Sequence, residues 1–168
     1  MGAIAYIGLG SNLTDPVAQV RAAESALGKL PQTRVLTCSS LYRSAPVGLT
    51  AQPDFVNAVC AIRTDLAAED LIGRLLEIER AHGRMRNGSP GGPRTLDLDL
   101  LLYDSLTLAT PALTLPHPRM HERAFVLAPL FEIAPGLTIP GRGPVADLLQ
   151  VCGDQRVEKL ENDKISDA

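Results

Sequence analysis

The chain has 168 residues, of which 45% are hydrophobic and 21% are charged, and its formal net charge is -3. This composition is typical of a soluble globular domain, and the acidic balance argues against nucleic acid as the main partner. No stretch is long and apolar enough for a transmembrane helix, and the N-terminal sequence lacks the positive segment of a signal peptide. The cysteines Cys38, Cys60 and Cys152 form no C-x-x-C pair. We therefore expect buried, reduced thiols in a cytoplasmic protein.

The first two thirds of the chain alternate predicted strands and helices. The predicted elements, in chain order, are a strand at 3–9, a helix from Asp15–Pro16, a strand at 34–43, a strand at 55–63, a helix at 66–80 and a strand at 95–103. Asp15 suits the N-cap position and Pro16 the first helical position. This order of elements is typical of a ferredoxin-like βαββαβ sandwich of the α+β class. In such a sandwich the helices cover one face of the sheet and leave the other more open.

The C-terminal part is predicted to be less regular. Residues 84–93 are rich in Gly and Pro and predict a loop. Residues 121–132 predict a helix despite Pro129, and a last short helix is expected to begin at Pro144. The polar tail, residues 161–168, is expected to fray. We therefore expect one domain with C-terminal additions.

The segment GGPRTLDLDLLLYD, residues 91–104, places two carboxylates in an otherwise apolar strand. Because strand side chains alternate, one face is predicted to comprise Leu96, Leu98, Leu100 and Leu102, and the open face Thr95, Asp97, Asp99 and Tyr103. The Cα atoms of Asp97 and Asp99 should lie roughly 6.5–7 Å apart. That spacing lets both carboxylates reach one cation or a pair of cations. Solvated carboxylates, or a salt bridge to an arginine, are the alternative.

The strand at 55–63 also has two different faces. Its apolar face is predicted to comprise Val56, Ala58, Cys60 and Ile62. Phe55 and Asn57 lie on the other face, where an aromatic ring and an amide suit a planar heterocycle by stacking and hydrogen bonding. Packing alone would also explain Phe55.

Basic residues are concentrated between residues 80 and 123. Of the 16 lysines and arginines of the chain, those in this window are all arginines: Arg80, Arg84, Arg86, Arg94, Arg119 and Arg123. The histidines of the chain, His82, His117 and His121, lie in the same window. Arginine suits multidentate recognition of phosphate, and Mg²⁺ usually binds one or two carboxylates plus substrate phosphates. The pattern favours a site in which Asp97 and Asp99 hold Mg²⁺ and arginines hold phosphates.

Other nucleotide and metal motifs fit less well. His117 and His121 are four residues apart, as in a zinc-binding helix, but a proline follows the first and no H-E-x-x-H motif is present. Residues 8–13, GLGSNL, begin like a dinucleotide-binding fingerprint, but leucine stands at the sixth position. Gly8 and Gly10 are interpreted as a tight exit from the first strand. No G-x-x-x-x-G-K-[ST] motif is present, which excludes a P-loop NTPase.

Seven segments spread over residues 3–140 carry a family resemblance. The signature-like stretch is GGPRTLDLDLLL, and the supporting segments are AYIGLGSNL, SSLYRSAPVG, QPDFVNAV, IERAHGRMR, LPHPRM and ERAFVLAPLFEIAPGL. In this order they resemble the 6-hydroxymethyl-7,8-dihydropterin pyrophosphokinase family of folate biosynthesis. The resemblance implies a ferredoxin-like α+β fold and a single pyrophosphokinase domain over residues 1–160. It also implies transfer of the β,γ-pyrophosphoryl unit of ATP to the hydroxymethyl oxygen of the pterin, with release of AMP.

The resemblance further implies roles for individual residues. Asp97 and Asp99 match the family's ligands for two Mg²⁺ ions, and Arg84 and Arg94 are implied to act in catalysis with them. The implied pterin-binding residues are Ser44, Val47, Phe55, Asn57 and Phe125. The implied ATP-binding residues are Glu79, Arg84, Arg86, Arg94, His117 and Arg123. For Glu79, a solvated carboxylate at a helix end is the alternative.

Other expectations concern cofactors, partners and the remaining basic residues. ATP is expected as co-substrate, and the resemblance favours a monomer with no nucleic-acid or membrane partner. Arg119 and His121 are interpreted as surface charge, and Arg80 and His82 have no assigned role.

The sequence departs from the family in one loop. Many relatives carry a tryptophan shortly before the GPR segment, in the loop that closes over substrate, whereas this chain contains no tryptophan and reads NGSPGG there. We expect this loop still to close, because glycine supplies hinge freedom. Two other functions stay open: a non-catalytic ligand-binding module of the same fold, and a different Mg²⁺-dependent phosphotransferase.

Overall fold

The computed structural model describes residues 2–12, 15–45, 54–82 and 96–160. The strands of these ranges are β1 (Ala3–Ser11), β2 (Thr33–Cys38), β3 (Tyr42–Ser44), β4 (Phe55–Thr64), β5 (Asp97–Tyr103), β6 (Leu108–Ala109), β7 (Thr114–Leu115), β8 (Thr138–Ile139), β9 (Gly143–Pro144) and β10 (Val157–Lys159). The α-helices are α1 (Pro16–Leu27), α2 (Ala68–Ala81), α3 (Ala124–Ile133) and α4 (Val145–Val151), and a 3₁₀ turn spans Met120–Glu122. Among the helices described, none has the length and apolar character needed to cross a membrane.

The main sheet is antiparallel and has the strand order β10-β3-β4-β1-β5. β2 and β3 follow one another along the same edge of β4, because β2 pairs with its later part and β3 with its beginning. The long strands β1 and β4 lie side by side in the middle, from Ala3 opposite Thr64 to Ser11 opposite Val56. Helices and an antiparallel sheet in this arrangement confirm the α+β class.

The helices form where their local signals predict them. Asp15 precedes α1, and its Oδ1 accepts a hydrogen bond from the backbone N–H of Ala18 at 3.3 Å. This bond satisfies one of the donors left unpaired at a helix start. α3 continues through Pro129 as predicted, and α4 begins directly after Pro144.

The predicted strand at 34–43 is wrong in one respect, because residues 39–41 separate it into β2 and β3. Ser39 still pairs with β4, since its N–H donates to the Val59 carbonyl at 2.8 Å. The N–H of Ser40 turns away and donates to both carboxylate oxygens of Glu132 on α3, at 3.1 Å each. A side chain 92 residues further along the chain therefore interrupts the strand, and no local pattern reveals it.

Apolar side chains pack on both faces of the sheet. α1 and α2 bury one face through a cluster that includes Val56, Ala58, Cys60 and Ile62 of β4, which confirms the predicted apolar face of that strand. α3 and α4 cover part of the other face, where their side chains pack with Val59, Leu101 and Leu102. The expectation of one open face is therefore only partly correct, because the helices after β5 cover a portion of it.

The predicted faces of β5 are correct from Leu96 to Leu100 and wrong beyond Leu100, while Thr95 lies outside the described residues. The β1–β5 pairing shifts at this point, since Tyr6 lies opposite Leu102 and Ile7 opposite Leu100. This β-bulge reverses the alternation of side chains. Leu102 consequently packs with the cluster under α3, and Tyr103 packs with the cluster under α1 and α2.

The expectation of reduced cysteines is wrong for two of the three. Cys38 and Cys60 lie directly opposite each other on β2 and β4 and form a disulfide. Their separation of 22 positions in sequence carries no sign of this pairing, which the strand register creates. Cys152 is a buried free thiol, as expected.

Candidate active site

A cavity of about 750 Å³ opens on the sheet face that α3 and α4 cover only in part. Its walls combine glycine backbone, polar and charged side chains, and aromatic rings: Gly8, Gly10, Ser44, Phe55, Asn57, Asp97, Asp99, Arg119, Glu122, Arg123, Phe125, Gln155 and Arg156 all contribute. This volume lies within the range of small-molecule sites, about 300–1,000 Å³. The cavity therefore brings together the two carboxylates and most of the predicted heterocycle-binding residues.

The floor of the cavity is formed by three adjacent strands. Gly10 of β1 lies opposite Asn57 of β4 on one side and opposite Asp97 of β5 on the other, and Gly8 lies opposite Asp99. Neighbouring strands are about 4.8 Å apart, so the Asn57 and Asp97 backbones are separated by roughly 10 Å. Because glycine has no side chain, the backbone of β1 forms an open floor between the amide end and the carboxylate end.

The amide end of the cavity is held by a buried hydrogen bond. Asn57 and Ser44 are each 4% exposed, and Asn57 Nδ2 donates to Ser44 Oγ at 2.7 Å. The bond fixes the plane of the amide beside the half-buried ring of Phe55, which lies opposite Ser44 in the β3–β4 register. A fixed amide next to an aromatic ring suits a flat ligand with a hydrogen-bonding edge.

The second aromatic ring is positioned by the start of α3. The guanidinium of Arg123, which immediately precedes the helix, lies 5.5 Å from the centroid of the Phe125 ring, within the range of a cation–π contact. The side chain of Gln155 anchors this segment: its Oε1 accepts from the Ala124 N–H at 2.9 Å, and its Nε2 donates to the Glu122 carbonyl at 2.7 Å. The segment between α4 and β10 therefore holds the helix start that carries Phe125.

The carboxylate end is formed by Asp97 and Asp99, which are half-buried and line the cavity from the same face of β5. His117 lies close enough to Asp99 to interact with it electrostatically, although it is not part of the cavity wall. Burial lowers the pKa of His117, Asp99 opposes this shift, and Arg123 and Arg119 reinforce it. A neutral imidazole therefore adjoins a region where carboxylates and arginines meet.

The carboxylate of Glu79 is not solvated, and it does not line the cavity. It is 3% exposed, and its Oε2 accepts a hydrogen bond of 2.6 Å from the backbone N–H of Leu98. Leu98 lies between Asp97 and Asp99 in the strand, so Glu79 holds the backbone that carries both carboxylates. The alternative of a solvated helix-end group is wrong, because α2 packs against β5 at this point.

The remaining predicted residues fall into two groups. Val47, Arg84, Arg86 and Arg94 lie outside the described residues. Arg119 lies at the wall of the cavity with 65% of its side chain exposed, and its Nε is 3.8 Å from Glu122 Oε1. His121 contacts Arg142 and lies 3.7 Å from the Glu122 carboxylate.

The family to which the chain is similar shows what kind of protein contains this cavity. Residues 6–135 match the family described as 7,8-dihydro-6-hydroxymethylpterin-pyrophosphokinase (HPPK). The chain belongs to this family. The match runs from within β1 to the end of α3, and so includes the parts of every strand and helix that form the floor and the aromatic walls.

Curated relatives support the assignment over almost the whole chain. The chain is 46% identical to the 2-amino-4-hydroxy-6-hydroxymethyldihydropteridine pyrophosphokinase of Haemophilus influenzae over 156 residues, which cover 93% of this chain and 97% of that protein. It is also 46% identical to the protein of the same name from Pseudomonas aeruginosa over 155 residues, which cover 92% and 95% of the two chains.

Solved structures agree at the level of the fold. The structure described as Plasmodium falciparum HPPK-DHPS A437G with SDX-DHP matches with a TM-score of 0.71 and 12% sequence identity over 90% of this chain. A structure described as HPPK-DHPS in complex with substrates matches with a TM-score of 0.70 over 89%. The present chain covers less than half the length of each of these two solved chains, 45% and 43%.

Sequence reasoning missed several residues of the cavity. Gly8 and Gly10 lie inside β1 as the cavity floor, and not at a strand exit. Alternating glycines within a strand are a sign that a ligand or another backbone approaches closely, and this signal could have located them. Gln155 and Arg156 carry no comparable local signal, because only the pairing of β10 with β3 brings them to the site.

Proposed function

We propose how this member of the family carries out its reaction, the transfer of pyrophosphate from ATP to the hydroxymethyl group of 6-hydroxymethyl-7,8-dihydropterin in folate synthesis, with release of AMP. One observation carries the proposal: Asn57, Gly10 and Asp97 lie side by side on three strands at the floor of one cavity. An acceptor bound at Asn57 therefore lies within about 10 Å of the carboxylates.

The pterin is assigned to the amide end. Phe55 and Phe125 reach the cavity from different elements, one at the start of β4 and one in the first turn of α3, and their rings would stack on the heterocycle. Asn57, held by Ser44, would hydrogen-bond to its polar edge. Val47 is assigned to the same subsite on the family resemblance.

Asp97 and Asp99 are assigned as ligands of two Mg²⁺ ions. The donor set fits, because two carboxylates from one strand face line the same cavity, and hard cations prefer such oxygens. When bound, Mg²⁺ neutralises charge on the phosphates and aligns the attacking and leaving oxygens. Glu79 contributes indirectly, since its bond to the Leu98 N–H restrains the strand between the two aspartates.

The triphosphate is assigned to the basic residues near the carboxylate end. Arg123 lines the cavity, and His117 adjoins Asp99. Arg84, Arg86 and Arg94 complete the ATP-binding set on the family resemblance, with Arg84 and Arg94 acting in catalysis. Glu79, which the resemblance also implied, is assigned only the indirect role through the Leu98 backbone. The positive charge of arginines would stabilise charge that develops on the transferred group.

We also propose the finer description of the fold and the setting of the protein. Residues 1–160 form one domain with a ferredoxin-like βαββαβ core, which the strand order (β2/β3)-β4-β1-β5 supports. Residues 161–168, the polar tail of the sequence, lie outside the described residues. The net charge of -3 supports a function without nucleic acid as a partner. The assignment as a cytoplasmic monomer rests on the family resemblance.

The release of AMP tests the reaction. The purified chain is incubated with ATP, Mg²⁺ and 6-hydroxymethyl-7,8-dihydropterin, and AMP is separated from ADP by chromatography. We expect AMP in amounts that depend on both the pterin and Mg²⁺. ADP as the product would indicate an ordinary phosphotransferase. Neither product, from folded protein that still binds a pterin analogue, would indicate a binding module.

A further inference from the structure

We propose that Cys38, Cys60 and Glu24 form a thiol–disulfide exchange site, in which Cys38 reacts with a small-molecule disulfide and Glu24 accepts the proton of Cys60. The site lies between α1 and the sheet, on the face opposite the cavity. Nothing in the pyrophosphokinase reaction uses it, and the proposal does not depend on that reaction.

The two cysteines differ in accessibility. They are directly opposed in the β2–β4 register with their Cα atoms 4.0 Å apart, so their sulfurs stay within bonding reach whether or not the bond is present. Cys60 is completely buried, whereas Cys38 is partly exposed on β2. We therefore assign attack by a reagent from solvent to Cys38, because Cys60 is enclosed and can react only with its partner.

Glu24 of α1 places a carboxylate against this pair. One of its carboxylate oxygens and the two sulfurs all lie within 4.8 Å of one another. Oε1 lies 3.2 Å from the Arg21 guanidinium, whereas Oε2 is buried with no hydrogen-bond partner among the described residues. A buried carboxylate oxygen without a partner is unfavourable unless it has a role that requires it.

The surroundings of Glu24 suit proton uptake. Burial raises its pKa, and Arg21 partly offsets this shift. Within the described part of the chain, the charged and titratable groups that face Glu24 are Arg21 from its own helix, Cys38 from β2 and Cys60 from β4, while β1 contributes apolar side chains to this face. A thiol in such apolar surroundings loses its proton reluctantly, so a neighbouring acceptor accelerates its reaction.

With oxidised glutathione as the small-molecule disulfide, the exchange has two steps. The Cys38 thiolate attacks one glutathione sulfur, which forms a mixed disulfide and releases one glutathione thiolate that takes up a proton. Cys60 then transfers its proton to Glu24, and its thiolate attacks Cys38 Sγ. The second glutathione leaves as a thiolate and is protonated. The protein dithiol is oxidised by two electrons, and one glutathione disulfide is reduced to two thiols.

The test follows the three cysteines of the full chain by mass spectrometry. The protein is reduced, mixed with oxidised glutathione, quenched with acid at increasing times and alkylated. We expect Cys38 and Cys60 to become protected together, and buried Cys152 to react only after unfolding. In Cys60→Ser a mixed disulfide should accumulate at Cys38, whereas in Cys38→Ser none should form at Cys60.

The part played by Glu24 is tested by Glu24→Gln, which keeps the side-chain shape. We expect closure of the mixed disulfide to slow about tenfold or more at neutral pH. The wild-type rate should also fall on acidification as Glu24 becomes protonated, and this component should be missing from the variant. The matched control is Glu77→Gln, since Glu77 is 65% exposed on α2.

Three results would overturn the proposal. Free thiols at Cys38 and Cys60 at every ratio of oxidised to reduced glutathione would mean that no exchange occurs. A disulfide that resists reduction at every ratio in the folded protein would make the bond purely structural. Equal closure rates and pH profiles for wild type and Glu24→Gln would remove the role of Glu24.

Discussion

The two faces of the sheet are built from alternate residues of the same strands, yet they differ in polarity and in how far helices cover them. α1 and α2 seal one face with contiguous apolar side chains such as Ile7, Ile62 and Leu100. α3 and α4 cover only part of the other, and the uncovered part carries Asn57, Asp97 and Asp99 around a cavity. The difference shows how one strand can support stability and chemistry at once, because successive side chains point to opposite sides.

The comparison also explains why a leucine-rich strand tolerates two aspartates. Leu98 and Leu100 anchor β5 in the sealed core, and Glu79 accepts the Leu98 N–H from the same side. The two carboxylates on the opposite face need no apolar contact to stay in place. Substitutions on the cavity face should therefore change binding and turnover, and substitutions on the sealed face should change stability.

The largest effect is expected from Asp97→Ala or Asp99→Ala. Either change removes one carboxylate from the phosphate end, and AMP release should fall at least about a hundredfold. Urea unfolding should change little, because both side chains are half-buried on the open face. Asp70→Ala, at an exposed position of α2, is the control. Near-normal turnover in either variant would contradict the metal assignment.

Leu100→Ala should have the converse effect on the sealed face. Leu100 is 2% exposed, so the deletion should lower the free energy of unfolding by about 2–5 kcal/mol. Pterin affinity per folded molecule should be retained. Leu36→Ala, at a side chain that is 40% exposed on β2, should have a much smaller effect. An equal loss in the free energy of unfolding for both variants would mean that Leu100 and Leu36 are equally well packed.

Phe125→Ala should weaken binding of a pterin analogue about tenfold, because it removes one stacking surface. Binding of a non-hydrolysable ATP analogue should change far less. Phe131→Ala on the same helix, with 38% of Phe131 exposed and away from the cavity, should leave both affinities unchanged. Fluorescence titration measures both, and equal losses for the two ligands would show that the sandwich is misplaced.

Gly10→Ala should raise the dissociation constant of the pterin several-fold. A Cβ at this position would lie 3.1 Å from Asn57 Oδ1, closer than most real contacts, and would disturb the amide. Gly73→Ala is the matched control, since a Cβ there meets nothing within 4 Å and should stabilise α2 by roughly 0.5–1 kcal/mol. Unchanged pterin affinity in Gly10→Ala would argue against contact between the ligand and this floor.

The smallest effect is expected in the pH dependence of the stability of the fold. Burial lowers the pKa of His117 below 6.5, with Arg123 and Arg119 adding to the shift, so the unfolded chain binds this proton more readily than the folded one. Stability should therefore decline as the pH falls from 6.5 through the folded-state pKa. Urea unfolding between about pH 7 and about pH 5 should show a steeper decline for wild type than for His117→Gln. Parallel curves would exclude this contribution.

Patterns within a few residues predicted much of the molecule. The cap at Asp15, the apolar face of β4 and the placement of Asp97 and Asp99 away from the leucines all follow from periods of 3.6 and 2 and from local hydrogen-bonding chemistry. The family resemblance, carried by ordered motifs, predicted the reaction. The helix cap and the strand faces could be predicted because they depend on interactions within a short segment of the chain.

The tertiary structure alone decided the rest. The bulge that exchanges the faces of Leu102 and Tyr103, the break at Ser40 and the Cys38–Cys60 bond each depend on a strand or helix distant in sequence. Gly10 became a cavity floor only because β4 and β5 pair on either side of it. Pairing between distant strands is set by global packing, which local sequence periods do not encode.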